Sequence, residues 1–396
     1  MVYTGRVVAI APFEALLFDP AVVGDLAAVT SPPYDVILPH EQDRLHRASP
    51  YNIALVDLGA DVPGDPEVKY TRAADLLRQW RSEGVMVPAG RPAVYPYEMR
   101  FTYRGRPRTV RGVLAAVGLE PWGGAILPHE RTMRSPVEDR LRLIRATGAD
   151  LSPIYAVVQG PNEPQAQLLD RVGRRPPDRE LVDEEGVVHR LWSEPDGANL
   201  AAWYAGRQVL VADGHHRYQT ALAYREEMRA DHGPGPWDSV MMLLVDAVTE
   251  EPPVLPIHRV LRVSPLPELA GQRVRDLEEV LALLADDDLS FGAVFRHFGA
   301  VTHLVGRAEG ELPTVRALHE AVLDPLRGIS DLRFTPDAAA AEAAVRARTA
   351  DLALILPPAR VAHVRAVVDQ GMRLPQKSTY FWPKPRTGMV IRSLTG

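Results

Sequence analysis

Apolar and polar positions alternate most clearly between residues 93 and 119, where segments 93–103 and 109–119 flank Arg104-Gly105-Arg106-Pro107 and predict a glycine-turned β-hairpin. Helical spacing predicts helices at 39–48 and 68–84, after a short strand at 6–10. Ahead of the first of these helices Pro32-Pro33 disfavours helix and leaves Tyr34 and Asp35 in an extended loop. A second hairpin is expected from 179–182 and 187–191 around Asp183-Glu-Glu-Gly186, after a helical excursion within 161–179. Beyond residue 265 the periods interleave, with helices at 276–285, 312–326, 336–349 and 359–370 and strands at 301–305, 332–335 and 352–356. The expected fold is mixed, α/β or α+β, in three regions: 1–125, 126–262 and 263–396.

One strand-to-helix junction carries the densest chemistry. Residues 208–212 are a short apolar run that stops at Asp213-Gly214; Tyr218, Ala221, Leu222 and Met228 then recur at helical spacing, with His216, Thr220 and Glu227 off that stripe. A helix starting there turns its unpaired first-turn N–H groups and its positive dipole end towards the turn, which suits a phosphate or carboxylate. Arg217 adds a planar fork that matches phosphate oxygens, and His215 and His216 can donate hydrogen bonds, bind metal or move protons. The bland alternative makes Asp213 a helix cap and the imidazoles surface or satisfied core groups. The concentration of Asp213, Gly214, His215, His216 and Arg217 in one turn favours a site.

Two other segments carry candidates. His129 and Glu130 precede Ser135, Pro136 and Glu138, which predict a capping box with Ser135 as N-cap. They therefore fall in a loop beside a helix start, Glu130 as a candidate general base and His129 as a phosphate or metal contact. A surface ion pair of Glu130 with an arginine is the plain alternative. Near the C-terminus Lys377, Ser378 and Thr379 precede a final strand, and ammonium and hydroxyls together can hold phosphate oxygens. Neither a P-loop nor a dinucleotide-binding or nucleophile-elbow glycine motif occurs in a suitable setting.

Bulk composition narrows the classes. With 46% hydrophobic residues the chain can bury substantial cores. Lys and Arg (45) do not outnumber Asp and Glu (51), so a nucleic-acid partner is not expected. The absence of cysteine removes disulfides, thiolate metal ligands and thiol nucleophiles. No apolar run reaches the length of a membrane span and no signal-peptide pattern is present, so a cytoplasmic protein is expected.

Taken together, Asp213-Gly-His-His-Arg-Tyr-Gln-Thr-Ala-Leu222, Pro128-His-Glu-Arg-Thr132, Glu138-Asp-Arg-Leu-Arg-Leu143, Pro32-Pro-Tyr-Asp-Val36, Pro50-Tyr-Asn-Ile53 and Pro375-Gln-Lys-Ser-Thr-Tyr-Phe381 resemble the signature segments of the domain of unknown function 1015 family, from about residue 6 to 394. The segment from Asp213 to Arg217 is also similar to the phosphate-binding motif of the ParB/sulfiredoxin-like superfamily, which includes kinases of free L-serine. That resemblance implies a ParB/sulfiredoxin-like core element around the motif, with further α/β regions. It also implies phosphoryl transfer from ATP, ADP or pyrophosphate to a small hydroxyl acceptor, with serine leading. Gly214, His215, His216 and Arg217 would meet the donor phosphates, with Lys377 and Ser378 completing the cradle. Asp213 would hold Mg²⁺ or orient a histidine, Glu130 would take the acceptor's proton with His129 beside it, and Tyr34, Asp35 and Asn52 would shape the acceptor side. The chain lacks the basic segment of a DNA-binding partition protein. Two other readings stay open: a metal-dependent hydrolase built from His129, Glu130, Asp213, His215 and His216, and a non-catalytic nucleotide-binding protein. Self-association into a homo-oligomer is left open.

Overall fold

A computed structural model describes residues 8–395 apart from 159, 161, 196, 286, 288, 311 and 312. Residues 6 and 7 of the expected first strand, and residue 312 of an expected helix, lie outside the described residues. The chain has a mixed α/β fold and divides into two compact units. The first comprises Met1–Pro128, Thr132–Glu251 and Pro383–Gly396; the second comprises His129–Arg131 and Pro252–Trp382.

The first unit is built on a mixed sheet. Its strands are β1 (Ile10–Ala11), β2 (Tyr95–Tyr103), β3 (Arg106–Gly118), β4 (Ile126–Pro128), β5 (Ile154–Val158), β6 (Arg179–Val182), β7 (Val188–Leu191), β8 (Val209–Asp213) and β9 (Ser239–Asp246). They run in the order β4-β8-β5-β9-β3-β2-β7-β6, with β1 on β3. The hairpin of β2 and β3 forms where alternation predicts it, but its loop is shorter than the glycine turn expected at 104–107. Arg104 and Gly105 both take positive φ (51° and 72°), and a two-residue turn of that kind matches strand twist. Strands β5 and β9 lack alternation because both of their faces are buried, from Ile154 to Val158 and from Val240 to Asp246. Helices α1 (Arg134–Thr147) and α2 (His215–His232) complete the part that matters here. Tyr218 and Ala221 of α2 pack on Ile126, Ile154, Val209 and Met242 of the sheet.

Two local expectations change. Ser135 was expected as N-cap, yet α1 begins at Arg134 with Met133 in the cap position and no side-chain cap. Glu138 pairs instead with Arg134 (2.6 Å), and the Met133 amide donates to His216 Nε2 (3.0 Å), so the orphan donor is met from α2. Tyr34–Val36 is one turn of 3₁₀ helix rather than extended chain, because Pro33 precedes the turn and does not interrupt it.

The second unit is an antiparallel sheet of β10 (His258–Val263), β11 (Gln272–Val274), β12 (Ser290–His297), β13 (Ala300–Arg307), β14 (Ile329–Thr335) and β15 (Leu352–Ile355), in the order β11-β13-β12-β15-β10-β14. Helices Leu277–Leu284 and Ala338–Arg346 cover one face, with Val280, Leu284, Ala341 and Val345 packed on Val260, Val294, Ala353 and Ile355. Among the described residues no helix is long and apolar enough to cross a membrane.

Candidate functional site

Strand β8 lies between β4 and β5 and ends at Asp213, one residue past a register shift against β5. Gly214 then takes φ +93°, a conformation glycine adopts without strain, and α2 starts at His215. A Cβ on Gly214 would lie 3.0–3.1 Å from the Arg217 guanidinium. Glycine is thus required twice, for the backbone and for the arginine that folds back over it.

Arg217 reaches three partners. Its Nη2 donates to Asp213 Oδ2 at 2.6 Å, while Nη1 donates to Ser152 Oγ (3.0 Å) and to the Pro153 carbonyl. The other Asp213 oxygen accepts from Lys384 Nζ, which also lies 3.6 Å from Asp35 Oδ2. Asp213 is therefore clasped by two cations at the N-terminus of an 18-residue helix. The positive end of the helix dipole adds to both charges. Lys384 escaped sequence reasoning, which favoured Lys377. Its signal was present: it stands between Pro383 and Pro385, and it is one of only three lysines, with Lys69 and Lys377, in a chain whose other basic residues are arginine.

Tyr34 and Asp35 do sit in this neighbourhood. The Arg140 guanidinium lies 4.1 Å from the Tyr34 ring centroid, and Arg140 donates to the Asp57 carbonyl (2.7 Å), to Asp57 Oδ1 (3.0 Å) and to Asp139 Oδ2 (2.5 and 2.9 Å). Burial raises the Tyr34 phenol, and neighbouring Asp35 raises it further. Burial also pushes the Asp57 carboxyl above its ordinary value, against the pull of Arg140 and Arg217. At Asp139 burial is outweighed by Arg140, Tyr70 and Lys69, and its carboxyl falls to about 2. Asn52 is fully buried and works inward: its amide donates to the Ala28 and Thr30 carbonyls and its oxygen accepts from Ala54 N, which fastens the chain leading into Ser31–Asp35.

The histidines of the motif face different surroundings. His215 is buried, its ring nearly parallel to Trp122 at 6.1 Å between centroids, and His216 accepts the Met133 amide. Thr220, off the predicted apolar stripe, is buried as well because α2 packs against α1 in addition to the sheet, and its hydroxyl donates to the Val137 carbonyl (3.3 Å).

His129, Glu130, Lys377 and Ser378 belong to the second unit. There the Glu130 carboxylate accepts from the backbone N–H groups of Lys377 (3.1 Å), Ser378 (3.0 Å) and Thr379 (3.1 Å) and from the Thr379 hydroxyl (3.2 Å). Lys377 has φ +53°, so successive amides converge on one carboxylate as a nest. His129 Nε2 lies 2.7 Å from Thr379 Oγ1, and the Ser378 hydroxyl donates to the Pro375 carbonyl (2.5 Å). The sequence sets Lys377 and Ser378 in the phosphate cradle of the Asp213 turn and Glu130 and His129 at the transferred group; the fold joins these four residues to one another within the second unit.

A divalent cation finds little at Asp213, where each oxygen already accepts from a cationic side chain. Among the described residues no three His, Asp or Glu side chains gather as a metal site. Of the five hydrolase candidates, His129 and Glu130 fall in the second unit and Asp213, His215 and His216 in the first.

These features define a mixed α/β protein with a cationic strand-to-helix turn. The chain belongs to the family described as Protein of unknown function (DUF1015), whose model matches residues 10–319. No match was found among curated proteins. Among solved structures the chain is similar to a free serine kinase in complex with AMP (13% identity, 65% of this chain and 83% of that chain, TM-score 0.35). It is also similar to a conserved hypothetical protein from Pyrococcus furiosus (14%, 66% and 90%, TM-score 0.35) and to C-terminally truncated SbnI from Staphylococcus aureus (12%, 69% and 85%, TM-score 0.36).

Proposed function

We propose that the protein is a phosphotransferase acting on a small hydroxylated metabolite, with L-serine as the leading acceptor and ATP, ADP or pyrophosphate as donor. The observation that carries this reading is the clasp of Arg217 and Lys384 around Asp213 at the start of α2. Two cations and a helix N-terminus supply charge neutralisation and positioning, which is most of what phosphoryl transfer asks of a protein. In this reading Gly214, His215, His216 and Arg217 meet the donor phosphates, and Lys384 joins them. Asp213 holds the two cations in place, and Mg²⁺ is assigned to the donor phosphates instead of Asp213. Tyr34 and Asp35 border the acceptor side. Serine is named because the segment from Asp213 to Arg217 resembles the motif of free-serine kinases. Glu130 and His129 are assigned to shaping the Lys377–Thr379 turn, since the Glu130 carboxylate is occupied there by three backbone amides and the Thr379 hydroxyl.

The test is direct. Incubation with L-serine and each donor in turn is expected to yield O-phosphoserine, read by mass spectrometry, and Arg217→Ala is expected to abolish it. Product absent with every donor removes serine as the acceptor. Absence of any calorimetric binding of ADP, ATP or pyrophosphate removes the phosphate site itself.

A further inference from the structure

Behind the Arg217 guanidinium, within the first unit, lies a cavity of about 50 Å³. That is room for a few water-sized groups, such as an ammonium and the carbon that bears it. Its polar lining is Asp57, Arg140, Asp150, Ser152, Arg217 and Thr220, with Leu143, Ile144 and Val240 among the apolar walls. The two carboxylates differ in what they leave open. Asp57 Oδ1 is taken by Arg140, and its Oδ2 is sealed inside the protein. Asp150 Oδ2 accepts from Arg392 Nη1 and from the Met241 amide, both at 3.0 Å, whereas its Oδ1 has no hydrogen bond among the described residues and is not sealed off. The residue is only 7% exposed, so this oxygen meets open space at the cavity that Asp150 lines.

The lining holds open acceptors, and its donors point elsewhere. Arg140 donates through Nε and both Nη atoms to Asp57 and Asp139. Arg217 gives Nη1 to Ser152 and Pro153 on the cavity side, while its Nε and Nη2 lie over Gly214, at the turn assigned to the donor phosphates. The Thr220 hydroxyl proton goes to the Val137 carbonyl, which leaves the oxygen's lone pairs, and Ser152 Oγ has accepted one of the two bonds it can take. Three oxygens thus remain for a visiting donor: Asp150 Oδ1, Ser152 Oγ and Thr220 Oγ1. A protonated amine brings three N–H donors and no acceptor. Its bond to a carboxylate is charge-assisted, about twice as strong as one between neutral groups. Repulsion from the two guanidiniums is offset by Asp57, Asp139 and Asp213, which pair with them. Burial lifts the Asp150 carboxyl above its ordinary value against the pull of Arg392, and a cation at Oδ1 relieves that penalty.

We propose that this cavity binds the ammonium group of the acceptor, with Asp150 Oδ1 as its charged partner, so that the acceptor is a hydroxylated amine: a hydroxy amino acid or an amino alcohol. The assignment rests on the phosphotransferase reading and narrows its acceptor. Asp150 touches the substrate and sets its class, and it moves no proton. Donor phosphates at Nε and Nη2 and the amine beside Nη1 then stand on two edges of one guanidinium.

L-Serine and ethanolamine carry the ammonium, and glycerate puts a hydroxyl in its place on the serine skeleton. With wild type and whichever of ADP, ATP or pyrophosphate it binds, the better of the two amines is expected to exceed glycerate at least a hundredfold in kcat/KM. Glycerate used as well as that amine overturns the proposal. Asp150→Asn keeps the side-chain shape and an acceptor for the Met241 amide while removing the charge. The KM for the amine is expected to rise at least thirtyfold, with donor affinity by calorimetry within threefold of wild type. An unchanged KM overturns the assignment, and so does a loss of donor affinity as large as the rise in KM, since Asp150 would then only support the fold. If Asp150→Asn, deprived of its pair with Arg392, does not fold, the wild-type comparison of amine with glycerate decides by itself. A wild-type protein that binds a donor but phosphorylates neither amine overturns this site and leaves the phosphate site standing. One that binds no donor removes the phosphotransferase reading beneath it.

Discussion

The sharpest consequence of the clasp concerns Lys384→Met. Methionine retains most of the lysine stem's volume and deletes the charge, so the effect reads electrostatics more than packing. The Lys384 and Asp213 side chains are 7% and 15% exposed. Two unit charges about 4 Å apart attract by about 4 kcal/mol at an effective dielectric near 20. Desolvation takes back part of this, and Asp213 keeps Arg217 at 2.6 Å when Lys384 is gone. A net loss of about 1–3 kcal/mol is expected, with a coupling of similar size between Lys384→Met and Asp213→Asn. Urea unfolding of wild type, both single variants and the double variant, followed by tryptophan fluorescence, measures that coupling. Deletion of one of the two clasp cations should also weaken pyrophosphate binding at least tenfold, or about 1.4 kcal/mol, by calorimetry. A coupling below about 0.5 kcal/mol would show that the two groups do not act as a buried pair. Unaltered pyrophosphate affinity would remove Lys384 from the donor site.

Three further outcomes follow from other residues. Gly214→Ala places a non-glycine residue at φ +93° with its Cβ against the Arg217 guanidinium; it should cost about 1–3 kcal/mol in urea unfolding and weaken pyrophosphate binding at least fivefold, and full affinity would refute the close-approach argument. Glu130→Ala leaves the amides of Lys377, Ser378 and Thr379 without their acceptor; hydrogen exchange at these amides should accelerate strongly with a stability loss of about 2–4 kcal/mol, and unchanged protection would show the nest does not depend on this carboxylate. Asp139, held at about 2 in the fold against an ordinary value of 3.8, contributes stability that is fully present above pH 3.8 and is lost as pH falls towards 2. Its side chain is 29% exposed, so water screening reduces the contribution to about 1–2 kcal/mol. Asp139→Asn should flatten the loss of stability between pH 4 and 2, and an identical acid profile would refute the assignment.

The legible parts of the fold were those whose pattern is local. The helix at Pro39–Ala48 and the hairpin strand at Arg179–Val182 form at the predicted residues, because periodicity and turn residues act over a few positions. Strands β5, β9, β10 and β12 were not assigned. Buried on both faces over most of their length, they show no alternation to detect, and β12 carries Gly292 at its centre, where a Cβ would collide with Val280. Capping was the least legible feature: the Met133 amide finds its acceptor in His216, a residue 83 positions away.

At the candidate site the sequence alone determined the strand, the glycine turn, the helix start and the arginine fork, all within Val209–Asp213 and the first turn of α2, since backbone preference and i to i+4 proximity are local properties. It could not decide which lysine completes the clasp, for Lys384 reaches Asp213 across 171 positions. Nor could it show that Asp57, an ordinary aspartate in Leu-Val-Asp-Leu, lies buried beside Arg140 with one oxygen unmet. Burial and partnership of a charge depend on what the folded chain packs around it, and only tertiary structure brings together groups that the sequence keeps far apart.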